Sequence, residues 1–548
     1  MHEAAYLLAG FAFLSQILAL LRDRILATEF GAGQTLDLYY AAFRIPDFLF
    51  ATIASLLSLY ALLPVLSRLE QKNEGYLIAF LRDTLLLFFI GMAAISAVIF
   101  FFVPQLVNVV VPGIAADEGS RMQLILLIRI LLLQPILLGA SNMLAALTQL
   151  RHRFVLYSIS PLLYNIGIII GALFLYPKIG LAGLGWGVVL GAFMHVALQA
   201  PFFFSEKPTV RMPRALMLKS FWEVLALSVP RTLALSAGQI SLLAIVALAS
   251  FLSAGSITVF TFGFNLQAVP LTIIGVSYSI AAFPTLARLF AAGKREEFAR
   301  HIEAALRHII FWAVPATIFF IVLRAQLVRV ILGAGAFDWS ATRLVAAALA
   351  IFVVSLTAQS ISLLIARAYY AAGNTKKPLY YAAIDVSVSI ASAIGFVALF
   401  HSSPFMRDFI ESMLRVEGIQ GTTVLMLALG YAFGSIVECI VSFFFFCKDF
   451  GISAKRLLGQ LFQTFSAAVL GGGVTYAVLA ETGVVGTIDT TLGLVLQGMG
   501  AGLAGLAVTV LILHLLKNPE LAEAIHAFTR HFKDSPEVAL EATEVSSK

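Results

Sequence analysis

The chain is a succession of long apolar runs broken by short charged stretches, and few folds can accommodate that pattern. A run of about 20 apolar residues crosses the hydrocarbon core of a membrane as a helix. Inside lipid every backbone N–H and C=O must be bonded within the protein, so helices are the default for such runs. The alternating strand segments of about 10 residues that mark a membrane barrel are absent. Composition agrees: 60% of the 548 residues are hydrophobic and only 12% are charged, where a soluble domain carries about 25% charged residues. The fold class predicted is an all-α polytopic membrane protein.

About 14 runs are long enough to span: 4–28, 36–66, 78–111, 121–149, 154–176, 180–204, 218–252, 255–290, 304–334, 342–372, 378–401, 423–447, 457–480 and 490–516. Several exceed the bilayer thickness and must tilt or protrude. Lys and Arg gather in every second connection. Arg68 and Lys72 lie in the second, Arg151 and Arg153 in the fourth, and Lys207, Arg211, Arg214 and Lys219 in the sixth. Arg288, Lys294, Arg295 and Arg300 follow in the eighth, Lys376 and Lys377 in the tenth, and Lys448, Lys455 and Arg456 in the twelfth. The intervening connections are poor in both; 112–120 carries Asp117 and Glu118. Positive loops stay on the cytoplasmic side, which puts both termini in the cytoplasm. The same rule explains the net charge of +6 without nucleic acid as a partner. The N-terminus is apolar from Ala4 and lacks a basic n-region and a small-residue cleavage site, so it reads as a retained helix. The polar tail begins at Asn518, with a short amphipathic helix expected over 519–532 and disorder beyond it.

An internal repeat is visible. Gln16-Ile17 recurs as Gln239-Ile240, Ala32-Gly33 as Ala254-Gly255, Phe43 as Phe264 and Tyr157 as Tyr380. The offset covers an even number of spans, so the copies share one orientation in the membrane, a transporter design that places substrate between the halves. The halves differ in charge. The first pair of helices holds Arg22, Asp23, Arg24, Asp37, Arg44 and Asp47; at the repeat offset Ala244 stands for Arg22 and Asn265 for Arg44.

Ionisable groups at membrane depth cost about 2.5–3.5 kcal/mol on insertion scales, and so mark function by default. Arg22 and Arg44 are the foremost candidates, with Arg24 behind them because it can snorkel. A guanidinium stays protonated and offers a planar fork of donors that matches phosphate oxygens. Two readings are open: a grip on a diphosphate, or internal ion pairs with Asp23, Asp37 or Asp47 that fix helix packing. Pro46 removes a backbone donor beside Arg44 and kinks its helix, to line a cavity or to serve packing; Pro230 and Pro270 stand similarly in the second half. Arg129, Glu223, Arg231, Arg367, Asp385 and Glu438 are further charges in apolar segments. Asp385 and Glu438 are candidates to bind a proton or a coupling cation, against a reading as structural pairs. The sequence has no H-E-x-x-H, P-loop or G-x-S-x-G motif. No enzyme chemistry, cofactor or metal is therefore expected, and ATP is not its own energy source. His195 is the one mid-span histidine and reads as packed. Cys439 and Cys447 imply neither a disulfide framework nor a metal site.

The segment Gly31-Ala32-Gly33, Asp37 and Tyr40-Ala41-Ala42-Phe43-Arg44-Ile45-Pro46-Asp47-Phe48-Leu49 resembles the second-helix motif of the MurJ/MviN lipid II flippases. Ser15 and Arg22-Asp23 match that family's first helix, and Arg129 its fourth. Phe154, Ser160-Pro161 and Asn165 are similar to its fifth, and Gly183-Leu184-Gly185-Trp186-Gly187 to its sixth. Pro284 and Leu286 fit the end of the eighth, and Asn374-Thr375-Lys376-Lys377-Pro378 resembles its D-T-K-T-P loop. The resemblance implies the MOP superfamily fold: two six-helix lobes in a V, here 1–210 and 211–450, two further helices over 451–517, and a cytoplasmic tail over 518–548. It also implies a monomer in the bacterial inner membrane that flips lipid II, an undecaprenyl-diphosphate-linked peptidoglycan precursor, by alternating access. Arg22 falls on a family position held to bind the head group, and Arg44, Arg24, Asp37 and Asn265 complete the candidate substrate-binding set. The chain departs from the family pattern at Gln16, Phe50 and Asn265, each in place of a usual arginine, and at Ser55 and Leu56, where Glu-Gly is usual. The alternatives are another MOP transporter, for an oligosaccharide-lipid or for drugs, and a non-transporting membrane scaffold.

Overall fold

A computed structural model describes residues 2–57, 59–205, 210, 212–485 and 491–533. Every regular element among them is helical. Ten helices are long and apolar enough to cross a membrane, and two broken pairs raise the number to twelve. The expected spans 4–28 and 218–252 fall on helices His2–Phe30 and Arg214–Ala249, of 29 and 36 residues. The longest helix, Glu74–Val110, has 37 residues. At about 1.5 Å per residue it measures about 55 Å, well beyond the ~30 Å hydrocarbon core. It therefore tilts or projects, as anticipated.

Two of the helix interruptions follow the repeat. Leu132 separates Glu118–Leu131 from Leu133–Leu150, and Ser355, 223 positions on, separates Trp339–Val354 from Leu356–Ala371. The interruption at Ile53 has its counterpart in the π-turn Thr272–Val276. The repeat is thus carried by backbone geometry as well as by residue identity. Helix Gln34–Ala42 gives way at Phe43 to Arg44–Thr52. Pro46 has no N–H to return to the Ala42 carbonyl, and the ladder resumes with the Asp47 N–H on the Phe43 carbonyl at 2.8 Å. The helix is thus interrupted beside Arg44, but the marked bend of 41° falls at Ile53, between Gln34–Thr52 and Ala54–Lys72.

Two compact units make up the described chain. The first comprises Met1–Leu266, Ile331–Phe352 and Asn374–Glu438. One of its cores gathers Leu66, Leu77, Phe80, Leu81, Met143 and Leu147, with Phe50 packed against it. Within the same unit, helices Phe154–Ile170 and Leu181–Ala197 meet through glycines. A Cβ on Gly167 would fall 2.2 Å from the Gly191 Cα, and one on Gly187 2.4 Å from the Gly171 Cα. Small residues let backbones approach where lipid supplies no hydrophobic drive. Gly187→Leu is therefore expected to cost at least the 1–3 kcal/mol of an overpacked core, read as a lower melting temperature and lower membrane abundance. Gly473→Ala is the control, since nothing lies within 4 Å of the added methyl; its melting temperature should match the parent's.

The second unit comprises Gln267–Val330, Val353–Gly373 and Cys439–Lys548. In it Ala454–Val485 packs against Thr491–Leu515 and Arg295–Val322. The helix anticipated over 519–532 is present as Pro519–Lys533. Leu521 joins Phe311, Ala467 and Leu513 in a small core, and Glu520 pairs with Arg307 at 3.4 Å. The disorder expected after 533 concerns residues outside the described ones. Cys439 is buried and Cys447 half-buried, and no disulfide joins them.

Candidate substrate cavity

Helix His2–Phe30 presents Arg22 and Asp23 side by side. Arg22 donates to Asp23 Oδ1 from Nε at 3.0 Å and from Nη2 at 2.8 Å, and from Nη1 to Asn165 Oδ1 at 3.0 Å. The other oxygen of Asp23 accepts from Asn265 Nδ2 at 3.1 Å. Three sequence-derived positions, Arg22, Asp23 and Asn265, thus form one chain of bonds, with Asn165 at its end. Each Arg22 nitrogen thus has one partner inside the protein.

Arg44 differs. Its Nε donates to the Tyr40 carbonyl at 3.3 Å, and its terminal nitrogens have no hydrogen-bond acceptor among the described residues. It lines two adjoining cavities, of ≈ 140 Å³ and ≈ 200 Å³, with Asp47, Thr261 and Asn265 common to both. Arg22 and Tyr164 close the first, and Gln239 the second. Gln134 Nε2 reaches Asp47 Oδ1 at 3.5 Å and the Tyr164 hydroxyl at 3.3 Å. The Tyr40 hydroxyl, in the wall of the first cavity, is buried without a partner, so that wall holds polar capacity that a ligand or water can satisfy.

Asp37 is placed elsewhere. Its carboxylate accepts from the Gly255 N–H at 2.6 Å, the Thr258 N–H at 2.8 Å and the Thr258 hydroxyl at 2.7 Å. It joins the start of the second-helix motif to the turn that opens the second-half helix Ser256–Leu271. Gly255 adopts φ +91 there, a backbone conformation that costs glycine little. Arg24 lines neither cavity. Asp385 accepts from the Ser435 hydroxyl at 3.2 Å. No group of three or more His, Cys, Asp or Glu side chains that could hold a metal occurs among the described residues.

Two of the remaining charges, Arg129 and Glu223, have structural partners. Arg129 donates to the Phe100 carbonyl at 3.2 Å and lies over the Phe100 ring. Arg68 holds Glu223 through both terminal nitrogens. The side chain of Arg231 lies outside the described residues. His195 is packed, its Nδ1 2.6 Å from the Ser141 hydroxyl, which also accepts from Gln199 at 2.7 Å. At the position of the usual family Glu, the Ser55 hydroxyl pairs with Thr232 at 2.9 Å. Gln134, Tyr164 and Thr258 were not anticipated from sequence. They are uncharged, and nothing local distinguishes them from other polar residues in apolar helices.

A family model described as the lipid II flippase MurJ matches residues 26–405. The chain belongs to the MurJ family. The lipid II flippase MurJ of Burkholderia cenocepacia is 25% identical over 412 residues, covering 72% of this chain and 78% of that protein. A probable lipid II flippase MurJ of Thermotoga maritima is 25% identical over 439 residues, covering 76% and 88%. A solved MurJ structure in an inward closed conformation superposes with a TM-score of 0.70 at 21% identity, over 94% of this chain and all of that one. An inward-facing multidrug transporter of the MATE family in the MOP superfamily superposes with a TM-score of 0.65 at 15% identity, over 81% and 95%. The MurJ resemblance read from the second-helix motif is borne out, and so is an all-α, multi-pass transporter fold.

Proposed function

We propose that this MurJ-family chain flips lipid II from the inner to the outer leaflet of the bacterial cytoplasmic membrane by alternating access. The observation that carries the reading is the Arg44 guanidinium, with unspent donors, at the meeting of two cavities of mixed polar and apolar lining inside a MurJ-family fold. A diphosphate needs such donors away from competing water. The cavities are smaller than the roughly 300–1,000 Å³ of ordinary ligand sites, so substrate enters after the walls part. Lobes at 1–210 and 211–450, with 451–517 as an added helix pair and both termini cytoplasmic, provide the moving parts. The protein works as a monomer, as a transporter and not an enzyme. Arg22 acts on substrate through the Asp23–Asn265 chain, Arg24 from the rim, and Asp37 by holding the walls together. Asp385, with Glu438 on the adjacent span, takes the coupling cation or proton.

The deciding experiment is lipid II exposure at the outer leaflet of cells depleted of their own flippase and expressing this chain. Restored exposure is the expected result; good membrane expression without it would sink the lipid II assignment. One observation favours a second reading, a related polyprenyl-diphosphate lipid. Arg22 is neutralised by Asp23, and Asn265 stands where the family has an arginine, so the cavity carries less free positive charge than lipid II recognition elsewhere in the family implies. Asp385→Asn is expected to remove most transport that depends on a cation or proton gradient and to leave membrane abundance unchanged. Transport with an unaltered gradient dependence would acquit Asp385.

A further inference from the structure

Residues 403–423 join the spans Lys376–Ser402 and Val424–Phe450, and within them lies the helix Pro404–Leu414. The Ser403 hydroxyl accepts from the Met406 N–H at 3.3 Å and fixes its start. At about 100° per residue its side chains sort into three arcs. Ile410 and Leu414 are buried against the protein. Arg407, Asp408 and Glu411 form a polar arc. Between these, Phe405, Phe409 and Met413 are 79%, 53% and 55% exposed, an open apolar stripe at i, i+4 and i+8. The Phe405 and Phe409 rings stack with centroids 6.3 Å apart. A contiguous apolar patch on a well-formed element marks a contact surface.

Connectivity identifies what covers it. The helix begins two residues after one membrane span ends and stops ten residues before the next begins, so both ends are tethered at the membrane boundary. Its charges offer little to a charged partner: Arg407 and Asp408 approach to 3.7 Å, and Arg343 binds Glu417 at 3.8 Å and the Arg415 carbonyl at 2.8 Å. We propose that Pro404–Leu414 is an in-plane membrane helix whose Phe405, Phe409 and Met413 insert into the boundary between headgroups and acyl chains. An amphipathic helix whose polar face has no excess of positive charge binds lipid through apolar area, and so gains nothing from anionic lipid. The helix is also tied to the next span's start, since the Thr422 hydroxyl donates to Glu411 Oε1 at 2.6 Å. The leaflet thereby anchors one end of the span Val424–Phe450.

The test places tryptophan singly at Phe405, Phe409 and Asp408 in the full chain, reconstituted in vesicles of phosphatidylcholine with and without phosphatidylglycerol. Emission is read as the difference from the parent, whose four native tryptophans are a constant background. At positions 405 and 409 the added emission should fall by about half with lipids brominated high on the acyl chain and less with bromines near the chain end, as an interfacial depth requires. At position 408, 73% exposed in its side chain, aqueous iodide should quench instead. Both vesicle compositions should agree. Iodide quenching at 405 and 409 would leave the stripe in water, and protection from both quenchers would mean that protein covers it; either overturns the proposal.

Discussion

Arg44→Ala is expected to reduce outer-leaflet exposure of lipid II by at least tenfold while leaving membrane abundance and melting temperature near those of the parent. Arg44 spends one nitrogen on the Tyr40 carbonyl, so truncation strands no carboxylate bonded to it. What is lost is the fork of donors facing the cavities. A hydrogen bond to a charged group contributes about 1.5–3 kcal/mol, and about 1.4 kcal/mol is a factor of ten, so even one lost phosphate contact accounts for the expected drop. Arg44→Lys should recover part of it, since an ammonium retains charge without the planar fork. Arg22→Ala is the informative comparison. Its guanidinium is bonded to Asp23 and Asn165, and the Asp23 side chain is only 5% exposed. Removing one partner of a buried pair typically costs about 3–5 kcal/mol, so this variant should lose stability together with transport. If Arg44→Ala transports normally, the cavity assignment falls, whatever Arg22 does.

The legible and illegible parts of this protein divide along physical lines. Long apolar runs can be little else than helices, so an all-helical, multi-pass fold was readable, while the count expected, about 14, stands against ten to twelve spanning helices among the described residues. The repeat was readable because residues recur at nearly one offset, as Gly33 and Gly255 do, although their backbones differ, with φ −145 at the first and +91 at the second. Arg22, Asp23, Arg44 and Asp47 stood out because charge at membrane depth is expensive. The same signal did not reveal that Arg22 is occupied and Arg44 open. That distinction depends on Asn165 and Asn265, which approach Arg22 and Asp23 only in the folded chain. Neutral partners such as Gln134, Tyr164 and Thr258 cost little to bury when bonded, and leave no mark on composition or periodicity. Ser55 and Phe50 show the converse. They are visible departures from the family's charged pattern, and the structure shows them serving a hydroxyl pair and a hydrophobic core.

Asp37→Ala should loosen the turn it holds, and amide exchange is the direct measure. Its carboxylate is the acceptor for the N–H groups of Gly255 and Thr258 and for the Thr258 hydroxyl, and it is only 6% exposed. A buried donor deprived of its acceptor costs about 1–3 kcal/mol. Where exchange proceeds by local opening, exchange at Gly255 and Thr258 should therefore quicken by about ten- to a hundredfold. Asp37→Asn should fall between, since its carbonyl oxygen can keep one N–H while its amide faces another donor. Amides of the helix Glu74–Val110 serve as the reference and should not change. The consequence for transport follows from population. On the lobes proposed above, this contact breaks and re-forms in each cycle, and a conformer favoured by a few kcal/mol is depopulated when that margin disappears. The alanine variant should thus lose lipid II exposure while the Arg44 cavity stays chemically intact. Transport lost with unaltered exchange at Gly255 and Thr258 would instead mean that the Asp37 carboxylate acts on the substrate itself.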